Sequence, residues 1–250
     1  MDKSTNFGFE TVSFAEKKEK VREVFTSVAS QYDLMNDLMS LGVHRLWKAA
    51  MIKALPLKAK DRVLDVAGGT GDIALGILKS YPYLDLDITI CDLTPEMVSK
   101  GRDRAINKGT LKGLHWSCGN AECLPVADQS FDLYTIAFGL RNVADIDAAL
   151  TEAVRVLKPG GKFFCLEFSK PTITGLGRVY DWYSFNLLPV LGELVAKDRA
   201  AYQYLVESIR RFPDQESLAD KMKQAGFVDV QWKNLSGGIV ALHSASTTKG

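Results

Sequence analysis

From Val63 to Gly71 the chain reads Val-Leu-Asp-Val-Ala-Gly-Gly-Thr-Gly, a short β-branched apolar run that breaks into a glycine turn. Glycines there let the backbone turn sharply and let a ligand approach its N–H groups with no Cβ in the way, so Gly68, Gly69 and Gly71 are candidate binding residues. Asp92 closes the next apolar run, LDITICDL (86–93). A carboxylate at that point accepts hydrogen bonds from both hydroxyls of a ribose. Turn and acid together describe an adenosine-type ligand; a tight turn with no ligand is the structural alternative. Arg141 and Asn142 follow a third apolar run, FDLYTIAFGL (131–140). Polar residues at strand carboxyl ends tend to face the crevice of such a sheet; a surface ion pair or a helix cap is the structural alternative for Arg141. The three histidines are His44, His115 and His243. His44 has the pKa class of a base near neutrality, against the plain reading of a satisfied structural histidine; the other two read as strand residues. Cys118 and Cys123 are the close pair among four cysteines, and nothing completes a zinc set, so no metal is assigned and the thiols read as reduced and mostly buried.

The elements that must position these groups alternate. Arg62–Gly68 is a strand candidate, DIALGILKSY a helix, 86–93 a strand, PEMVSKGRDRAINKG a helix with Pro95 in its first turn, and LHWSCGN (114–120) a strand. FDLYTIAFGL is followed by a helix over 145–157, closed by Lys158-Pro159-Gly160-Gly161, and by a strand over 162–169. Short connections between alternating strands and helices argue for an α/β domain with a parallel sheet. Upstream, residues 1–14 read as an arm, and residues 15–60 hold amphipathic helices, with Val21, Val24, Phe25 and Val28 on one face. Downstream, the cofactor-binding core (61–170) gives way to an aromatic-rich helical segment (171–212), then to a final helix and a β-hairpin across Ser236-Gly237-Gly238 (213–250). All of this reads as one domain.

Three features favour S-adenosylmethionine over a nicotinamide dinucleotide. Ala67 stands where the first dinucleotide glycine would be, Asp65 suits a cationic amino group better than a pyrophosphate, and the sheet ends in an antiparallel hairpin instead of a second nucleotide-binding half. The 250 residues are 46% apolar and 24% charged with a net charge of +1, which excludes a disordered chain and gives no reason to expect a nucleic-acid partner. The first residues are charged where a secretory signal is apolar, and no run approaches the roughly 20 apolar residues of a membrane span. The expected location is therefore cytoplasmic.

VLDVAGGTGDIA, CDLTPEM, GNAECLP, FDLYTIAFGLRNV and VLKPGGKFFCLEFSKP together resemble the successive signatures of class I S-adenosylmethionine-dependent methyltransferases, and more narrowly the ubiquinone/menaquinone biosynthesis C-methyltransferase family. VFTSVASQYDLMNDLMSLGVHRLWK upstream and AGFVDVQWKNLSGGIVALH downstream resemble it too, so the likeness spans roughly residues 9–243, with FGLRN and EFSKP its most specific parts. The resemblance implies a Rossmann-like, mostly parallel sheet with N-terminal helices, a helical insertion before the last helix and a closing antiparallel hairpin. It also implies methylation of a ring carbon of a polyprenyl benzoquinol or demethylmenaquinol. By the same likeness Thr70 touches the methionine end of the cofactor, Asp92 holds the ribose, and Asn120 and Ala121 border the adenine. One departure is Ala137: the family often has Ser before FGLRN, so only a backbone contact survives there.

On this reading Arg141 stabilises the oxygen of a developing phenolate or orients a water, and Asn142 hydrogen-bonds the second ring oxygen. With a pKa above about 12, Arg141 is no ordinary base. Tyr32 closes over the pocket and offers its hydroxyl, with buried packing as its alternative; His44 is the other candidate base. Tyr180, Trp182, Tyr183, Phe185, Leu187, Leu188 and Leu191 read first as ordinary packing over the sheet, with a lid for a polyprenyl tail accounting for the excess, and a membrane-derived substrate points to transient contact at the inner face of the membrane. The reading leaves room for a homodimer and for contact with other quinone-biosynthesis enzymes. Rival readings are a methyltransferase acting on another small aromatic, lipid or RNA acceptor, and a non-catalytic quinone-binding member of a biosynthetic complex.

Overall fold

The computed structural model describes residues 4–28, 36–37, 40, 42–110, 112–173 and 199–249. Tyr32 and most of the aromatic-rich 171–212 segment therefore lie outside the described residues. Seven strands form the main sheet: β3 (Arg62–Val66), β4 (Asp87–Asp92), β5 (Leu114–Cys118), β6 (Phe131–Ala137), β7 (Leu157–Phe168), β8 (Val228–Leu235) and β9 (Val240–Ser246). Their order is β5-β4-β3-β6-β7-β9-β8, parallel except where β9 pairs antiparallel with β7 and β8. Chain order reverses on either side of β3, so a crevice opens beyond the carboxyl ends of β3 and β6.

Strand residues alternate between two apolar layers, as the two-residue period of a strand demands. Val63, Ile88, Leu133 and Leu166 face one layer, where α2 (His44–Ala54) contributes Trp47 and Met51, and α3 (Asp72–Ser80) contributes Ile73 and Ile77. Leu64, Val66, Tyr134 and Cys165 face the other, packed by Leu150 and Ala153 of α5 (Ile146–Val156) and by Leu218 and Met222 of α7 (Gln215–Gln224). Helix α4 (Pro95–Asn107) begins with proline at its first turn, and Gly101 brings it close enough to Trp116 that a Cβ would sit 2.4 Å from the indole.

Two segments differ from the sequence reading. The expected arm is a hairpin of β1 (Ser4–Phe7) and β2 (Glu10–Ser13), turning at Gly8, whose φ is +58°. Four-residue strands are too short to show a period; this hairpin is held by α1 (Phe14–Val28) and α6 (Arg199–Arg211), through buried Val12 and a Phe7–Tyr204 ring stack at 4.1 Å. Lys158-Pro159-Gly160-Gly161 is not a bare helix stop: β7 runs through it, with a register shift opposite β6 and the Gly160 N–H donating to the Thr248 carbonyl at 3.0 Å. Of the thiols, Cys91 and Cys165 are buried, whereas Cys118 is exposed at the end of the edge strand β5 and Cys123 is exposed in the turn that follows it. His115 and His243 lie on β5 and β9, as expected.

Candidate active site

The glycine turn leaves β3 with Ala67 at φ +50°, Gly69 at +53° and Gly71 at +79°. Gly68 cannot carry a side chain, since a Cβ there would lie 2.7 Å from Ile90 and 2.9 Å from the Asp65 carboxylate. On the neighbouring strand Phe138 also turns at φ +57°, and a Cβ on Gly139 would meet that of Ala67 at 2.4 Å. Left-handed backbone at two non-glycine residues costs about 1–2 kcal/mol each. Here it presses the two loops together to make the floor of a crevice of about 700 Å³.

Asp92, Asn120 and Ala121 line that crevice, and Lys18, Val21 and Phe25 of α1 close over it. The Gly69 N–H donates to Asp92 Oδ2 at 2.8 Å and the Thr94 N–H to Oδ1 at 2.9 Å. Burial pushes the Asp92 carboxyl upward, against the pull of those donors. Each oxygen keeps a lone pair for a further donor. Asn120 Oδ1 accepts from the Glu122 N–H at 3.1 Å. Glu122 in turn takes the Ala144 and Asp145 N–H groups at 3.0 and 3.1 Å and the Lys18 ammonium at 2.6 Å, tying the roof to the rim.

Behind the glycine turn lies a narrower hollow of about 290 Å³, walled by Lys48, Asp65, Gly68, Thr70, Asp72 and Ala137. Asp65 Oδ1 accepts the Thr135 hydroxyl at 2.8 Å, but Oδ2 has no partner among the described residues. Burial raises its pKa to about 7, more than the Thr135 bond lowers it. Asp72 is different: burial pushes it up, yet Lys48 and Arg104, both at 2.7 Å, outweigh that and hold it low. Arg104 also donates to Thr70 Oγ1 at 3.3 Å. Lys48 lines this hollow and was not singled out from the sequence; its one signal is a place a helical turn beyond His44 in HRLWK.

Arg141 and Asn142 lie on a 3-10 turn (Leu140–Asn142) after β6, and their side chains part company. Asn142 lines the crevice. Arg141 does not: it is 6% exposed, its Nη1 donates to Glu167 Oε1 at 3.0 Å and to the Phe138 carbonyl, and its guanidinium lies 5.5 Å from the Phe168 ring. The side chain thus lies outside the crevice that Asn142 lines. Its ion pair is buried and not at the surface, and its partner is the Glu of EFSKP, which no local pattern pairs with an arginine 26 residues earlier. Burial raises the Glu167 carboxyl against the pull of Arg141. His44 is also away from the crevice: its Nδ1 lies 2.9 Å from the Ser40 hydroxyl, on a separate groove between α2 and α3. Burial, reinforced by Lys48, lowers its pKa. Thus the structure brings Asp92, Asn120, Ala121, Gly69 and Asn142 to one crevice, and Asp65, Gly68 and Thr70 to the adjoining hollow.

An antiparallel closing pair separates this sheet from a dinucleotide-binding one, and the architecture is that of class I methyltransferases. A SAM-dependent methyltransferase of Thermotoga maritima superposes with a TM-score of 0.62 at 23% identity, covering 91% of this chain and 100% of that one. Phosphoethanolamine N-methyltransferase 2 of Haemonchus contortus gives 0.64 at 15%, covering 95% and 61%. Those identities speak for the fold alone. The chain belongs to the ubiE/COQ5 methyltransferase family, which matches residues 13–247. It is 54% identical over 243 residues to the ubiquinone/menaquinone biosynthesis C-methyltransferase UbiE of Dinoroseobacter shibae, covering 97% of this chain and 96% of that protein. It is 48% identical over 274 residues to the mitochondrial 2-methoxy-6-polyprenyl-1,4-benzoquinol methylase of Danio rerio, covering 97% and 84%.

Proposed function

We propose that this chain transfers a methyl group from S-adenosylmethionine to a ring carbon of a polyprenyl benzoquinol, of demethylmenaquinol, or of both. The observation that carries the reading is the pair of adjoining hollows: Asp92 in one, and in the other a buried carboxylate oxygen of Asp65 with no partner among the described residues. The residues fit the cofactor. Asp92 accepts from the ribose hydroxyls, Asn120 and Ala121 border the adenine, Asp65 faces the ammonium, and Lys48 and Thr70 take the carboxylate. Gly68 and Gly69 keep side chains out of its path, Gly71, where a Cβ would sit 2.8 Å from the Trp116 indole, completes the turn away from both hollows, and Ala137 offers backbone alone.

When bound, the cofactor supplies a methyl group already activated on a cationic sulfur. The chain has to hold an electron-rich carbon in line, about 3–3.5 Å away. It also has to favour the quinol anion: a phenolic pKa near 10 means about 4 kcal/mol of differential stabilisation at pH 7. Asn142 donates to a ring oxygen at the crevice, and Tyr32 supplies a hydroxyl over it. Arg141, held inward by Glu167, acts by fixing the turn that carries Asn142. The segment 171–212 covers the polyprenyl tail, and the enzyme meets the membrane surface transiently at its inner face; failure to sediment with quinol-loaded liposomes would argue against that contact. No helix among the described residues is long and apolar enough to cross a membrane. A homodimer and contact with other quinone-biosynthesis enzymes belong to the same reading; a monomeric mass in solution would remove the first. Mass profiling of quinones tests the function. Cells lacking this protein should accumulate quinones one methyl group short, and an unchanged profile would refute the reading.

A further inference from the structure

We infer that Tyr204 is a positioning residue for the methyl transfer proposed above, and that the N-terminal hairpin is the clamp that holds it. Asn142 Oδ1 accepts the Tyr204 hydroxyl at 3.0 Å, while its Nδ2 lies 3.4 Å from the Phe138 carbonyl. An amide nitrogen carries two hydrogens. With the oxygen occupied by Tyr204, the group Asn142 turns to the crevice is a donor. A donor there stabilises a quinol oxygen as it becomes anionic; a carbonyl oxygen in its place would stabilise the protonated quinol instead.

Tyr204 suits this task. Its side chain is buried on α6, and burial lifts its phenol far above the ordinary value, with the nearby Arg141 opposing and Glu167 adding to the rise. The hydroxyl therefore stays protonated and stays a donor. Its ring stacks on Phe7 of β1 at 4.1 Å and 14°. Lys20 covers Phe7 at 5.2 Å from the ring centroid, and the Phe9 N–H donates to Glu207 at 3.0 Å, one helical turn beyond Tyr204. The hairpin thus grips α6 at two points, and the hydroxyl it holds in place sets the orientation of an amide in the crevice.

The role rests on the quinol reading, so wild-type turnover of a demethylated quinol is measured in the same assay as the variants. Tyr204→Phe should melt close to wild type, keep its affinity for S-adenosylmethionine, and lose about tenfold in kcat, the worth of one oriented hydrogen bond. The pH at which its kcat is half-maximal should move upward, because the quinol anion has lost its donor. Tyr204→Phe combined with Asn142→Ala should be no slower than Asn142→Ala alone, since both remove one interaction. Phe7→Leu, which keeps apolar contact without the ring stack, should shift the same quantities in the same direction by less. Wild-type kcat and pH profile in Tyr204→Phe, or losses that multiply in the double variant, would overturn the role of Tyr204 alone. A wild-type enzyme inactive on the quinol would overturn the proposed substrate and this role together.

Discussion

Asp65 is expensive to ionise in the free protein and useful once a cation arrives. Its folded pKa, about 7, lies above the ordinary 3.8. The fold therefore holds a proton that the unfolded chain releases, and this contribution is fully present below the ordinary value and is lost as pH rises through 7. The loss amounts to about 4 kcal/mol, from 1.36 kcal/mol per unit. Asp65→Asn should accordingly melt above wild type at pH 8 without cofactor, with the gap closing toward pH 4. An ammonium beside Oδ2 should expel the proton, so calorimetry at pH 6 in buffers of different ionisation enthalpy should show proton release on cofactor binding. The release should vanish at pH 9 and in Asp65→Asn; pH-independent proton uptake of zero would contradict the assignment. Arg141 answers to a different term. Both members of its pair with Glu167 are almost wholly buried, and removing one partner leaves an uncompensated charge worth about 3–5 kcal/mol. Arg141→Ala should therefore lose much of its stability, measured by denaturant, besides turnover. The glycine turn and Asp92 were legible from residue type and spacing alone. The Arg141–Glu167 pair was not, because a polar residue at a strand end has two directions open to it, and long-range packing decides between them.

At the level of elements, the crevice depends on how α1 is fastened across the carboxyl end of the sheet. Glu122 does this from the rim, with the Lys18 ammonium at 2.6 Å and the Ala144 and Asp145 N–H groups on its other oxygen. Glu122→Ala should cost about 1–3 kcal/mol for the stranded N–H groups. It should also speed cofactor dissociation, seen by stopped-flow, while Lys18→Ala changes dissociation with little loss of stability. Equal dissociation rates in all three proteins would mean that the roof is held elsewhere. Helices α3, α4 and α5 were readable because each carries its own period and boundary signal, such as Pro95 or the Asp145 cap, whose Oδ1 accepts the Ala148 N–H at 3.1 Å. The β1–β2 hairpin has neither. Its order comes from Phe7 stacking on Tyr204 and the Phe9 N–H donating to Glu207, groups distant in sequence, so a local reading yields only an arm.

For the molecule as a whole, the two apolar layers on either side of the sheet fix where the chemistry can be. Strand order reverses between β3 and β6, so the loops that leave these two strands diverge to opposite faces and a crevice opens between them. Two histidines are buried in a manner that favours the neutral form. Burial lowers the pKa of His44 and of His243, whose Nε2 meets the Gln215 carbonyl at 2.9 Å. As pH falls below about 6.5 the unfolded chain binds protons that the fold refuses, so these two histidines subtract stability from there downward, against the gain that Asp65 brings over the same range. His243→Asn and His44→Asn together should therefore make stability rise more steeply toward acid than in wild type in melts between pH 5 and 7 (an unchanged slope would place the acid sensitivity elsewhere). The most direct test of the account is transfer itself: purified protein, S-adenosylmethionine bearing a deuterated methyl group, and a reduced demethylated polyprenyl quinol. The predicted product carries the label on a ring carbon, with the ring hydroxyls unmodified. Label on oxygen, or none on the quinol while the protein still binds the cofactor, would contradict it.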